Sequence, residues 1–483
     1  VSARAIMVLG CTSGAGKSWL ATALCRYYAQ RGVRVAPFKA QNMSNHARVV
    51  CGSDGLMGEI GSAQYFQALA ARARPEVRMN PVLLKPEADT RSQVVVMGQV
   101  DPALSAMGWR ERSGALARVA QQAFHGLAAE YELIVIEGAG SPAETNLAEQ
   151  DYVNLGAARW SQAHCLLVSD IDRGGSFAHL YGTHALMPAD VRAQLAGFVL
   201  NRFRGDPALL APAPDDLESA TGIATVAVVP YVHEHGLPEE DALPSSRRHR
   251  SSSRVVVIAG PAASNLDEFE CLNTAGISVQ YVREPSGLAE ADWVVLPGSK
   301  QTRVDLAWLR KTGLAEAIVA FARRGGAVLG ICGGLQILGE CLEDPEGLEG
   351  EGPGIVEGLG LLATTTVFRS TKRLSRATAS FAGLNDAWRP LNGLAVDGYE
   401  IHVGATHGSV AAQAVVFGEN GVPMGWQRGS VLGLYLHGLF EAPSVLAALF
   451  GQSAVPLDAA FDRLAEVVSN GFKPGVLDRL GAR

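Results

Sequence analysis

A cysteine set among glycines constrains this chain more than any other feature. In the stretch 325–339, GGAVLGICGGLQILG, residues 327–331 form a short apolar run that reads as a buried strand. Gly333 and Gly334, followed by Leu335, Ile337 and Leu338, read as a tight turn into a helix. Cys332 stands between the two. A sharp turn of this kind lifts one side chain off the strand end, the glycines admit strained backbone, and the helix aims its positive end at the sulfur. Such a thiol is expected to be partly thiolate near neutral pH. A buried, inert cysteine is the alternative, but it would need no glycine at 330, 333 or 334.

A chain of 483 residues is too long for one core, so two or three domains are expected. In the first half, strand-like runs at 5–10, 33–38, 132–136, 164–169, 196–200 and 224–229 alternate with amphipathic helical ones, which predicts a parallel sheet with helices on both faces. The segment 236–253, GLPEEDALPSSRRHRSSS, breaks the pattern with a polar, Pro- and Ser-rich run. A second alternation follows, with strands near 254–259, 278–282, 292–296 and 327–331 and a string of shorter ones from 361 to 436. The expectation is therefore two doubly wound α/β domains, 1–238 and 254–483, joined by a linker at 239–253. The net charge of −7 is dispersed, which points away from nucleic acid, and no run approaches the roughly 20 apolar residues of a membrane span. Seven scattered cysteines with no CxxC spacing imply a reducing cytoplasm and no zinc site.

Residues 5–24, AIMVLGCTSGAGKSWLATAL, place a strand, a glycine-rich loop and a helix in succession. In a phosphate-binding loop, backbone N–H groups and the helix N-terminus surround the phosphates, a lysine reaches the terminal ones and the next hydroxyl ligates magnesium. Gly10, Ser13, Gly14, Gly16, Lys17 and Ser18 fit this arrangement of ATP and Mg2+. The strict spacing would put glycine at 11, where the chain has Cys11; Gly10 lies one residue earlier. Further on, Lys39 ends the second strand and either approaches a phosphoryl group opposite Lys17 or is a solvated loop lysine. Glu137 ends the third strand beside Gly138 and Gly140, suited to magnesium or to capping the next helix. Asn201 closes another strand, as an adenine partner or a turn residue.

These stretches give the N-terminal half the look of the dethiobiotin-synthetase-like P-loop proteins, which share the longer spacing and use ATP to activate a carboxylate. More narrowly, APFKAQNMSN at 36–45, GEIGSAQ at 58–64, MNPVLLKP at 79–86, EGAGSPAETNL, DIDRGGSFA and NRFRGD resemble the cobyric acid synthase family. SNLDEFE at 264–270, LPGSKQT at 296–302, DGYEIHVG at 397–404 and YLHGLF at 435–440 extend the match through the second half. The related cobyrinic acid a,c-diamide synthases share the plan but not the APFKAQNMSN and MNPVLLKP words. A nucleotide switch with a decayed amidotransferase module is a rival from another class, disfavoured by an intact elbow. The resemblance implies ATP- and glutamine-dependent amidation of four carboxylates, b, d, e and g, on adenosylcobyrinic acid a,c-diamide. It also implies a class I glutamine amidotransferase domain in the C-terminal half. Gln41, Asn42 and Asn45 are candidates to line the corrinoid pocket, although such residues are also ordinary loop and capping choices; Glu59 is a second candidate for the metal. A homodimer is compatible with this reading.

In such a domain Cys332 would attack the glutamine side-chain amide, with His437, after the apolar run 431–436, as base and proton carrier. Oxyanion donors would come from Gly333 and from Gly298 or Ser299. Class I enzymes usually orient the histidine with a Glu two residues later, where this chain has Leu439. Glu400 and Glu441 are nearby in the sequence motifs, but neither can be assigned as the third member from sequence.

Overall fold

The computed structural model describes residues 3–52, 55–88, 91–232, 236–237, 246, 253–350, 352–453 and 455–482. It separates into two compact units, one made of Val1–Ser44, Val50–Leu237 and Pro456–Arg483, the other of Asn45–Val49 and Pro238–Val455.

The first unit is built on six strands, β1 (Arg4–Gly10), β2 (Val35–Phe38), β3 (Leu133–Glu137), β4 (His164–Asp170), β5 (Leu195–Phe203) and β6 (Thr225–Pro230). They pair in parallel in the order β6-β5-β4-β1-β3-β2. Helices cover both faces, so the strands are continuous apolar runs with no polar-out alternation; Ile6 to Leu9 and Leu133 to Ile136 are fully buried. The chain leaves β1 at the point where the strand order reverses, which leaves a crevice outside the carboxyl ends of the strands.

The second unit has an eleven-stranded sheet. Its strands are β7 (Arg254–Ile258), β8 (Ser278–Val282), β9 (Trp293–Leu296), β10 (Ala327–Ile331), β11 (Cys341–Asp344), β12 (Gly354–Glu357), β13 (Thr364–Phe381), β14 (Ala395–Gly408), β15 (Gln413–Phe417), β16 (Pro423–Arg428) and β17 (Val431–Leu434). The order is β8-β7-β9-β10-β17-β16-β15-β13-β11-β12, with β14 paired to β13. The part from β8 to β17 is parallel and the β13–β14 pair is an antiparallel ribbon. The sequence suggests short strands across 361–436; β13 instead runs 18 residues and β14 runs 14. Alternating Thr, Arg and Ser residues on β13 suit a ribbon with one face in water.

The domain limits also differ from the sequence reading. The expected linker falls almost entirely outside the described residues. Residues 456–483, assigned by sequence to the C-terminal domain, belong to the first unit. The reason is an amphipathic helix, Leu457–Gly471, that buries Phe461, Leu464, Ala465 and Val468 with Leu24, Tyr27 and Tyr28 of the helix Lys17–Gln30. Arg26, 1 % exposed, pairs with Asp462 at 2.6 Å and Asp458 at 2.9 Å across the same contact. Among the described residues no helix is long and apolar enough to cross a membrane.

Candidate active site

In the first unit, residues 11–16 wrap from β1 to the helix Lys17–Gln30. Gly14 and Gly16 take left-handed backbone, φ 70° and 95°. At Gly16 any side chain would also collide with the Asn201 amide, 2.0 Å from an ideal Cβ. Lys17 is buried and its Nζ donates to the carbonyls of Thr12 at 3.1 Å and Gly140 at 3.2 Å, so the ammonium is held inside the loop. Gly10 lies against it: a Cβ there would meet Lys17 Cδ and Nζ at 3.0 Å. Ser13 is exposed on the loop crest. This cup of backbone at a 14-residue helix N-terminus, with one ammonium inside, fits a polyphosphate.

Glu137, 1 % exposed, organises the floor. Its Oε1 accepts from Ser18 Oγ at 2.8 Å and Lys39 Nζ at 2.7 Å, and its Oε2 from Gln67 Nε2 at 2.5 Å. Burial works against its charge, but the Lys39 ammonium and these hydrogen bonds outweigh it and hold the carboxyl below its ordinary range. The structure thus brings Ser18, Lys39 and Glu137 together. Glu59 is fully buried in an ion pair with Lys85, a residue for which the sequence reading had no role. Asn201 donates to the Ala15 carbonyl at 2.9 Å and so braces the loop. Gln41 accepts from the Tyr152 hydroxyl at 2.5 Å; Asn42 is buried and donates to Gln64 at 3.1 Å. Asn45 belongs to the second unit, with its Oδ1 buried. A further cation escaped the sequence reading: an ideal Cβ on Gly14 would sit 3.3 Å from Arg173 Nη2, in the DIDRGG stretch.

In the second unit three adjacent parallel strands end together. β9 runs into the Gly298 turn, β10 into Cys332, and β17 leads through Tyr435 and Leu436 to His437. Cys332 has φ 52° and ψ −107°, an uncommon conformation for a residue with a side chain, and its N–H donates to Leu434 O at 2.9 Å. Its Sγ lies 3.5 Å from the Ile401 carbonyl. Gly333 and Gly334 are required by space: ideal Cβ atoms would fall 2.7 Å from Ser299 N and 2.0 Å from Leu296 O. The Gly298–Ser299 backbone therefore lies against the elbow, and Gly298 faces the imidazole, whose Cε1 would be 3.1 Å from its Cβ.

His437 is 1 % exposed and is held by a residue that sequence reasoning missed as its partner. Glu268, also 1 % exposed, places Oε1 3.0 Å from His437 Nδ1 and accepts from Gly438 N at 2.9 Å through Oε2. Burial works against a charged ring, yet Glu268 and the Cys332 sulfur reverse this and push the His437 pKa up to about 10. Nε2 has no acceptor at hydrogen-bonding distance among the described residues, which leaves it for the sulfur. The two carboxylates left open by sequence are engaged elsewhere, Glu441 with Arg48 at 2.6 Å and Glu400 with Arg373 at 3.1 Å and His402 at 3.3 Å. Leu439 is fully buried. The signal for Glu268 was the SNLDEFE word, which resembled the family but carried no assigned role.

A nucleotide-type P-loop unit and a cysteine-elbow unit in one chain define a glutamine-dependent amidotransferase with a nucleotide-binding domain. The family models agree: residues 6–243 match the CobQ/CobB/MinD/ParA nucleotide binding domain and residues 254–445 the CobB/CobQ-like glutamine amidotransferase domain. Cobyric acid synthase from Acidovorax ebreus (strain TPSY) is 57% identical over 500 residues, covering 100% of both chains. The Variovorax paradoxus (strain S110) protein of that name is 58% identical over 488 residues, covering 99% of this chain and 100% of its own. A solved glutamine amidotransferase aligns with 44% of this chain and 98% of its own, at 20% identity and a TM-score of 0.31. The chain belongs to the cobyric acid synthase family, enzymes of glutamine-dependent amidation in cobalamin synthesis.

Proposed function

We propose that this enzyme amidates the b, d, e and g carboxylates of adenosylcobyrinic acid a,c-diamide, giving adenosylcobyric acid, with ammonia released from glutamine at Cys332. The observation that carries the reading is the Glu268 carboxylate on His437, with His437 and Cys332 following neighbouring strands beside the Gly298–Ser299 turn. The proton of the Cys332 thiol already rests on His437 Nε2, as the raised pKa of the ring requires, and the sulfur attacks the glutamine amide carbon. The oxyanion takes hydrogen bonds from the N–H groups of Gly333 and the 298–299 turn, each worth roughly 3 kcal/mol in such sites. The adduct collapses as His437 returns the proton to nitrogen, releasing NH3 and leaving a glutamyl thioester. Water, deprotonated by His437, then hydrolyses the thioester to glutamate and thiol.

Ammonia is mostly protonated at neutral pH, and a carboxylate is a poor electrophile. The corrinoid carboxylate therefore attacks the terminal phosphorus of ATP, expelling ADP; NH3 adds to the acyl phosphate, and phosphate leaves as the amide forms. Gly10, Ser13, Gly14, Gly16, Lys17 and Ser18 would hold the phosphates, and Ser18 with Glu137 would hold Mg2+, which supplies charge neutralisation when bound. Gln41 and Asn42 stay with this unit as corrinoid candidates. All seven cysteines are free, which supports a reducing cytoplasm as the setting. Incubation with ATP, glutamine and the a,c-diamide, followed by mass analysis, should show four successive replacements of oxygen by NH. Reaction only with the un-amidated corrin would transfer the assignment to the sister enzymes.

A further inference from the structure

Residues Asn45–Val49 follow Gln41 and Asn42 by a few positions, yet they pack as part of the second unit. Arg48 in this segment is 2 % exposed. Its Nη2 donates to Asp267 Oδ2 at 2.5 Å, its Nη1 pairs with Glu441 Oε1 at 2.6 Å, and its guanidinium carbon lies 5.4 Å from the centroid of the Tyr399 ring. The neighbours add to this hold. Ala47 N donates to Asn265 Oδ1 at 3.1 Å, and Asn265 Nδ2 donates to the Tyr399 hydroxyl at 3.1 Å. His46 Nδ1 is 3.6 Å from Asp267 Oδ1.

Each group held by the segment is one step from the catalytic imidazole. Asp267 precedes Glu268, the carboxylate on His437 Nδ1. Tyr399 stacks on His437, with centroids 5.1 Å apart and planes at 16°, and the two residues exchange backbone hydrogen bonds of 3.3 and 2.9 Å. Glu441 donates its N–H to the Gly438 carbonyl at 3.0 Å, and Gly438 N in turn donates to Glu268. Three separate stretches of the second unit thus meet on one guanidinium, and all three flank His437. A planar fork with fixed donors can fix two carboxylates and one ring at once; an ammonium cannot reproduce that geometry.

We propose that Arg48 is a positioning residue for the glutaminase, locking the Asp267–Glu268 turn and the Tyr399 ring so that these hold His437 at the angle Cys332 requires. It touches neither glutamine nor sulfur. Glutamine turnover thereby depends on five residues spliced in from the nucleotide-binding half of the sequence. The inference rests on Cys332 and His437 forming the glutaminase.

The test compares the full-length parent, Arg48→Met and Arg48→Lys, with ATP and the a,c-diamide, supplied with glutamine or with ammonium at high pH. Arg48→Met should lower kcat with glutamine by ~100-fold, as a misaligned catalytic group does, with glutamine KM moved less than about threefold. Ammonium-supported amidation should stay within about twofold of the parent, and Arg48→Lys should restore part of the glutamine rate because it keeps the buried charge. If Arg48→Met does not fold, Arg48→Lys alone decides, since it should still lose about tenfold with glutamine and nothing with ammonium. Equal loss with both nitrogen sources in folded protein, or an unchanged glutamine rate, would overturn the proposal. A parent with no glutamine-supported activity but intact ammonium-supported activity would instead remove the glutaminase reading beneath it.

Discussion

The phosphate loop and the cysteine elbow are built from the same parts, a central parallel strand, a glycine-rich turn and a helix, but differ in turn length and in which residue carries the unusual backbone. Residues 11–16 separate β1 from its helix, whereas Cys332 alone separates β10 from the helix Gly333–Leu338. In the longer turn the left-handed angles fall on Gly14 and Gly16, where they are free of steric cost. In the shorter one the positive φ falls on the cysteine itself, a strain of about 1–3 kcal/mol that the β17 hydrogen bond to Leu434 helps sustain. A long turn makes a cup of many weak donors for a polyanion. A one-residue turn makes a pedestal for a single reactive atom.

The contrast breaks most sharply in paired substitutions of the two centres. Cys332→Ala should reduce glutamine-supported amidation by ~10⁴-fold or more while ammonium-supported amidation persists, whereas Lys17→Ala should lose both. A cysteine variant that still used glutamine at the parent rate would end the elbow assignment. Next in size, Glu268→Gln should cost ~10²–10⁴-fold with glutamine only, because the imidazole loses its charged partner. The same variant has a pH signature. His437 is raised from its ordinary 6.5 to about 10, so its contribution to stability is complete below about 6.5 and is lost as pH climbs through about 10. Urea midpoints should therefore fall more steeply between neutral pH and pH 10 in the parent than in Glu268→Gln; parallel curves would contradict the pairing. Smaller again, Gly333→Ala pushes a methyl against Ser299 N and should lower glutamine-supported kcat by roughly 10–100-fold through the oxyanion turn. Least affected should be Asn201→Ala, where loss of one loop hydrogen bond of ~1 kcal/mol weakens nucleotide binding about fivefold in a titration and leaves glutaminase chemistry alone.

Both turns were legible in the sequence because each needs glycines at set distances from an apolar run, and ten of the parallel-paired strands, β1 to β10, because burial on both faces leaves runs rich in Val, Ile and Leu. What stayed hidden depends on residues far apart in the chain. Glu268 and His437 are 169 positions apart, and no local spacing links them. Asn201 reads equally as a base contact or a turn residue, and nothing local announces that its amide meets Ala15 O. Glu59 reads as a metal candidate, and its ion pair with Lys85 is equally silent in the local sequence. The helix Leu457–Gly471 showed its apolar face plainly, but periodicity says only that such a face is covered, not which helix covers it.

That last helix changes what can be cut apart. Since residues 456–483 rejoin the first unit, the amidotransferase portion is nested inside its host, with both of its ends anchored there. A single nick in the expected linker would therefore free neither half. Two separate proteins could not be made by splitting this chain at a point: the host would need its tail sewn back on, and the guest would need the pentapeptide containing Arg48 returned to it.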